Sequence, residues 1–187
     1  MQQGVNPTSR IEISKRRRMA TQIAKAERHL AKNEIELASS LVQSVLSESN
    51  DHLAALEIRA KLLWKQQEFR SLVRTTERLI VLNPFEPGYH SLRGMALRAL
   101  GMYGEAAKSL ERDPNAAKHL LDLECFQAAL IKDSLKHDAI FAAKYAKNPV
   151  EALTKRGFYF KEREAALAWV NQQTNPSNLD QPRKSRL

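Results

Sequence analysis

The chain has a single cysteine, Cys125, in 187 residues. An internal disulfide framework is therefore excluded, and a lone thiol suits a reducing compartment. Glycine and proline are scarce, at six and seven residues. Few of them interrupt the periodic stretches, so long helices meet little opposition. No apolar run approaches the ~20 residues that a spanning helix needs. The basic cluster Lys15-Arg16-Arg17-Arg18 is followed by Met19-Ala20-Thr21-Gln22 and not by an apolar segment, so no secretory signal is read. The location expected from these absences is the cytoplasm.

Signs of catalysis are missing too. Gly101 and Gly104 read as part of a helix–helix turn, not as a loop that cradles phosphate, and there is no nucleophile elbow. Five histidines stand at 29, 52, 90, 119 and 137, and no two share one helix face at the spacing of metal ligands. His29 falls on an inward position and reads as a hydrogen-bonded core residue. Cys125, between Leu123 and Phe126, reads as a small buried apolar residue. We expect no catalytic residue, no metal and no cofactor, and a chain that is not an enzyme.

Charge is present, and unevenly placed. The net charge is +9. Residues 1–18 carry five basic side chains against one acidic, and residues 180–187 carry three against one. Those ends account for six of the nine charges, which leaves the body close to balance. Two basic clusters result: Lys15, Arg16, Arg17 and Arg18, and then Arg183, Lys184 and Arg186. Either they solubilise the ends, or they bind nucleic acid, an anionic membrane or an acidic protein. No aromatic residue interleaves with them, so stacking on bases is not indicated.

The strongest signal is a period of 34 residues. Units run from Met19 to His52, from Leu53 to Glu86, and from Pro87 onward. Position 8 of each is Ala26, Ala60 and Gly94; position 17 is Ile35, Phe69 and Tyr103; position 20 is Ala38, Leu72 and Ala106. Small side chains at fixed intervals let antiparallel helices approach to about 8–10 Å. Asn83-Pro84 and Asp113-Pro114 stop helices and restart the next, because the residue before proline is pushed out of the helical region. A repeat of this length implies a stacked array in which no unit buries its apolar face alone. No convincing period-2 run is present, and the fold class is all-α.

Helices are expected at about 14–32, 34–48, 52–66, 68–82, 87–100 and 103–112. After Pro114 the period fails. Helical stretches follow at 116–132, at 137–147, from Asn148-Pro149 with an asparagine cap and Glu151 three residues on, and at 162–173 with Trp169. Asp113 is a candidate cap for the first of them. The expected organisation is a disordered tail at 1–13, three helix pairs at 14–114, a degenerate repeat with capping helices at 115–173, and a disordered basic tail at 174–187.

The pattern resembles the tetratricopeptide repeat, clearest in Leu92-Arg93-Gly94, Gly101-Met102-Tyr103-Gly104-Glu105-Ala106-Ala107 and Leu82-Asn83-Pro84. It departs from that family in lacking the opening tryptophan, in carrying Leu72 where alanine is usual, and in placing Asp113-Pro114 four residues early. The resemblance implies a right-handed α-α superhelix with C-terminal capping helices. It also implies a concave groove that takes a peptide or helix of another protein. The groove positions carried over are Ile23, Glu27 and Leu30, then Glu57, Lys61 and Trp64, then Ser91, Met95 and Arg98. Trp64 is open to two placements, as a groove anchor or packed into the neighbouring unit. Chaperone-docking members hold two carboxylates with a lysine and an asparagine on the first groove helix. Ile23 and Glu27 stand there, so that ligand is not expected. An adaptor or scaffold role is the leading expectation, with a polyanion-binding adaptor as the alternative. Size and repeat number also resemble small bacterial secretion chaperones, which tend to be acidic where this chain is basic. Whether the chain forms a homo-oligomer is left open.

Overall fold

The structure, a computed structural model, describes residues 7–160 together with 167 and 168. Every regular element among the described residues is an α-helix. Two compact units divide at Tyr89 and His90. The first holds α1 (Pro7–Ala31), α2 (Ile35–Glu48), α3 (Leu53–Lys65) and α4 (Phe69–Leu82). The division falls inside α5 (Pro87–Ala99). The second holds α6 (Tyr103–Leu110), α7 (Ala117–His137), α8 (Ala139–Lys147) and α9 (Pro149–Lys155).

The 34-residue spacing is visible in the backbone. α1, α3 and α5 end at Ala31, Lys65 and Ala99, while α2, α4 and α6 begin at Ile35, Phe69 and Tyr103. Between them the same residue of each turn takes a positive φ: Asn33 at 62°, Gln67 at 59° and Gly101 at 76°. Each turn closes alike. The N–H of Glu34 donates to the carbonyl of His29 at 2.8 Å, that of Glu68 to Leu63 at 2.9 Å, and that of Met102 to Leu97 at 2.9 Å. This is the left-handed helix ending in which glycine is favoured because a Cβ crowds the backbone. Glutamine has no such freedom, and a left-handed residue costs about 1–2 kcal/mol. Gln67→Gly is therefore expected to stabilise the chain by about 1 kcal/mol, read from urea unfolding; an unchanged or lower midpoint contradicts it.

In the first unit α1 packs on α2 and on α3, α2 on α3, and α3 on α4. Its core contains Ala26, Ala38, Val45, Ile58, Ala60, Leu72 and Leu79, each almost fully buried. In the second unit α6 packs on α7, α7 on α8, and α8 on α9. There Ile131, Phe141, Tyr145, Ala152, Leu153 and Phe160 form a cluster, flanked by Leu135, Phe158 and Leu167.

Several boundaries differ from the sequence reading. α1 begins at Pro7, not near residue 14, and so runs through part of the expected tail. Proline is tolerated in a first turn, and no glycine or proline follows it before Pro84. α7 continues to His137 instead of stopping at 132. Its added turn sets Leu135 against the second cluster. Asp113 does not cap α7, whose capping residue is Ala116. Its carboxylate instead accepts from the N–H of Asn115 at 2.8 Å, two residues on, and closes a local turn. Asn148 does cap α9, accepting from the N–H of Glu151 at 3.1 Å, and its amide returns to the Glu151 carboxylate at 3.2 Å. The helix expected at 162–173 lies outside the described residues except for 167 and 168, which are helical.

Candidate functional site

Residues 34 apart on α1 and α3 occupy equivalent positions, so Glu27 corresponds to Lys61 and Leu30 to Trp64. The two helices pack side by side, and the Lys65 ammonium reaches the Asn33 side-chain oxygen at 3.0 Å, tying their ends together. Glu27, Lys61 and Trp64 are exposed and Leu30 is half-buried. Trp64 keeps 40% of its surface open, which resolves its placement: it is not a core residue. Its ring meets the edge of Phe69 at 5.7 Å between centroids and 73° between planes, so the indole is braced by the helix that follows. An aromatic anchor with an acid and a base on neighbouring positions is the chemistry of an interaction hot spot.

The position one turn earlier is not available in the same way. Ile23 is buried in the core of the first unit, which corrects its assignment to an open groove. Glu57 is half-buried and accepts a short hydrogen bond from the Tyr89 hydroxyl. Burial first, and then the Glu57 carboxylate, push the Tyr89 phenol up to about 12. That phenol is therefore a fixed donor to Glu57 at neutral pH.

In the second unit Ser91 is also buried, and its hydroxyl donates to Asp113. That bond is the main cause holding the Asp113 carboxyl below the usual carboxylate range. Ser91 thus fastens α5 to the turn after α6 and presents nothing to a partner. Met95 and Arg98 are half-buried. The Arg98 guanidinium lies 4.6 Å from the centre of the Phe126 ring. Phe126 meets Tyr103 edge-on at 6.1 Å, and Tyr103 stacks on Phe158 at 5.6 Å. Spacing did not reveal this cluster, because Phe126 and Phe158 lie outside the periodic stretch. The cation over a ring was the one available signal, and it needs the fold to be seen.

The first basic cluster does not form a single face of α1. Successive residues of a helix point roughly 100° apart, so four in a row cannot share a face. Arg16 pairs with Glu12 at 3.3 Å, Arg18 reaches Glu48 at 2.6 Å, and the Lys15 ammonium lies 3.5 Å from the Glu48 carbonyl. Arg17 points elsewhere. The second cluster, Arg183, Lys184 and Arg186, lies outside the described residues.

His29 is half-buried and shares a short hydrogen bond with Glu34, which is the main cause of a lowered Glu34 pKa. Cys125 is exposed, not buried as the sequence suggested: α7 turns Leu123 and Gln127 inward and Cys125 outward. Among the described residues no three of His, Cys, Asp and Glu gather as metal ligands do. Two clefts of the second unit measure about 50 and about 20 Å³. Both are far below the ~300 Å³ at which small-molecule pockets begin. No helix among the described residues is long and apolar enough to cross a membrane.

No protein-family model matches this chain, and no curated protein matches its sequence.

Proposed function

We propose that the chain is a non-enzymatic interaction module of tetratricopeptide type. Its α1–α3 face binds a peptide or helix of another protein. The observation that carries the reading is Trp64: a large aromatic, braced by Phe69 yet substantially open, on a face bearing Glu27, Leu30 and Lys61. The repeated turn geometry at Asn33, Gln67 and Gly101 supports the repeat assignment. A ligand segment would bury an apolar side chain against the indole, while Glu27 and Lys61 select its charges. Such a module works in the cytoplasm, where its exposed Cys125 stays reduced.

The test is an affinity pull-down from the native source with the full chain and with Trp64→Ala. Aromatic anchors carry about 2 kcal/mol or more when truncated. Trp64→Ala is thus expected to lose the recovered protein roughly thirtyfold while the chain still unfolds cooperatively, at a midpoint lowered only by the lost Phe69 contact. Equal recovery by the variant rejects the Trp64 face as the binding surface.

A further inference from the structure

The outward face of α1 carries a row that sequence composition hid. Ser14, Arg17, Thr21, Lys25 and Arg28 follow one another at intervals of three and four residues, the spacing that keeps side chains on one helix face, and Lys32 continues the row in the turn just past the helix end at Ala31. All six are exposed. No acid stands among them: Glu12 and Glu27 project from other sides of the helix, and the nearby Glu34 is bonded to His29. Among the described residues none of Arg17, Lys25, Arg28 and Lys32 is ion-paired. The equivalent positions of α3 show how unusual the face is. Thr21 and Arg28 correspond to Ala55 and Leu62, and both of those are buried.

We propose that this row is a docking surface for the phosphodiester backbone of duplex nucleic acid. From Arg17 to Lys32 four cations span about 22 Å of helix, or one per 5–6 Å. A duplex offers one negative charge per about 1.7 Å of its axis, so a row of cations at this spacing faces a dense line of opposite charge. The Thr21 hydroxyl donates to the Arg17 carbonyl at 2.9 Å, so the cations alone supply the row's contacts to phosphate. The row carries no aromatic residue to stack on bases, so it contacts the backbone without reading sequence. An anionic bilayer is the poorer fit. A helix that lies on a membrane sinks an apolar face into it. In α1 Met19, Ile23 and Ala26 are spent on the protein's own core, and the exposed Ile11 and Ile13 lie on separate sides of the helix, about 160° apart, so they form no apolar face. The surface is a structured one and needs neither the C-terminal basic cluster nor the Trp64 face.

The experiment measures fluorescence anisotropy of labelled 20-base-pair DNA and RNA duplexes titrated with the full chain across salt concentrations. Vesicles of phosphatidylserine and phosphatidylcholine, and a poly-glutamate peptide, are run alongside. Log affinity is expected to fall against log salt with a slope of about −3 or steeper. The triple variant Arg17→Gln, Lys25→Gln, Arg28→Gln should flatten that slope by about three. An equally charged control, Lys136→Gln, Lys144→Gln, Lys147→Gln, should leave it within about one. Deletion of residues 175–187 should do the same. Which duplex binds better tells DNA from RNA as the source. The proposal is overturned if neither duplex binds, if the α1 variant keeps the original slope, if the control flattens it as much, or if vesicles or peptide bind while the duplexes do not.

Discussion

Replacing Gln127 by leucine is expected to destabilise the second unit by about 3 kcal/mol, because two backbone groups lose their partner at once. Gln127 is 0% exposed on α7. Its side-chain NH2 donates to the Tyr159 carbonyl at 2.8 Å, and its side-chain oxygen accepts from the Tyr159 N–H at 2.7 Å. One amide therefore satisfies both main-chain polar groups of Tyr159, a residue outside any helix. Leucine keeps the volume and removes both bonds, which takes from the half-buried Tyr159 the partners of its N–H and its carbonyl. The neighbours of Tyr159 depend on the same clasp. Phe158 stacks on Tyr103, and Phe160 belongs to the core with Ile131 and Phe141. Urea unfolding followed by circular dichroism measures the loss. A cost below about 1 kcal/mol, the value of one ordinary hydrogen bond, rejects the clasp as a determinant of the fold.

Gly94→Ala is expected to cost about 2 kcal/mol even though alanine favours helix over glycine by about 1 kcal/mol. A Cβ on Gly94 would stand 2.6 Å from the Leu110 Cγ, 2.8 Å from its Cδ2 and 3.1 Å from the Ala106 carbonyl oxygen. Leu110 is 1% exposed and has nowhere to swing. The repeat explains why this unit alone needs glycine. Where Gly94 faces Leu110, the equivalent pairs 34 and 68 residues earlier are Ala60 with Thr76 and Ala26 with Val42. The larger partner goes with the smaller one. Leu110→Val is accordingly expected to relieve Gly94→Ala, with a coupling of about 1 kcal/mol or more in the double-mutant cycle. Additive costs contradict the pairing.

The sequence made the period legible because small residues at positions 8 and 20 serve backbone approach, and backbone approach does not depend on the partner. Ala26, Ala38, Ala60, Gly94 and Ala106 are all buried, and so is Leu72, the one large residue at these positions. The helix ends follow the same spacing, and the Asn148 cap was readable from its own side-chain chemistry. The candidate surface was legible only in part. Periodicity places Glu27, Lys61 and Trp64 on one face, where they are exposed. It cannot say that Ile23 turns into the core, that Ser91 is taken by Asp113, or that Arg98 lies over Phe126. Each of those depends on a residue far away in the chain. Gln127 was invisible for the same reason, since a glutamine within a helix looks like a solvated one until the chain returns at Tyr159. Cys125 misled because apolar neighbours in sequence point to other sides of α7. Lys15 to Arg18 read as one patch because they adjoin in sequence, while on the helix Arg17 shares its face with Lys25 and Arg28 about two and three turns further on.

The measurement closest to the proposed function is amide hydrogen exchange on the full chain with and without the recovered partner protein. Partner binding to the α1–α3 face should slow exchange in segments 24–31 and 58–66, and Trp64→Ala should abolish that protection. Protection confined to other helices, or protection that survives Trp64→Ala undiminished, would contradict it.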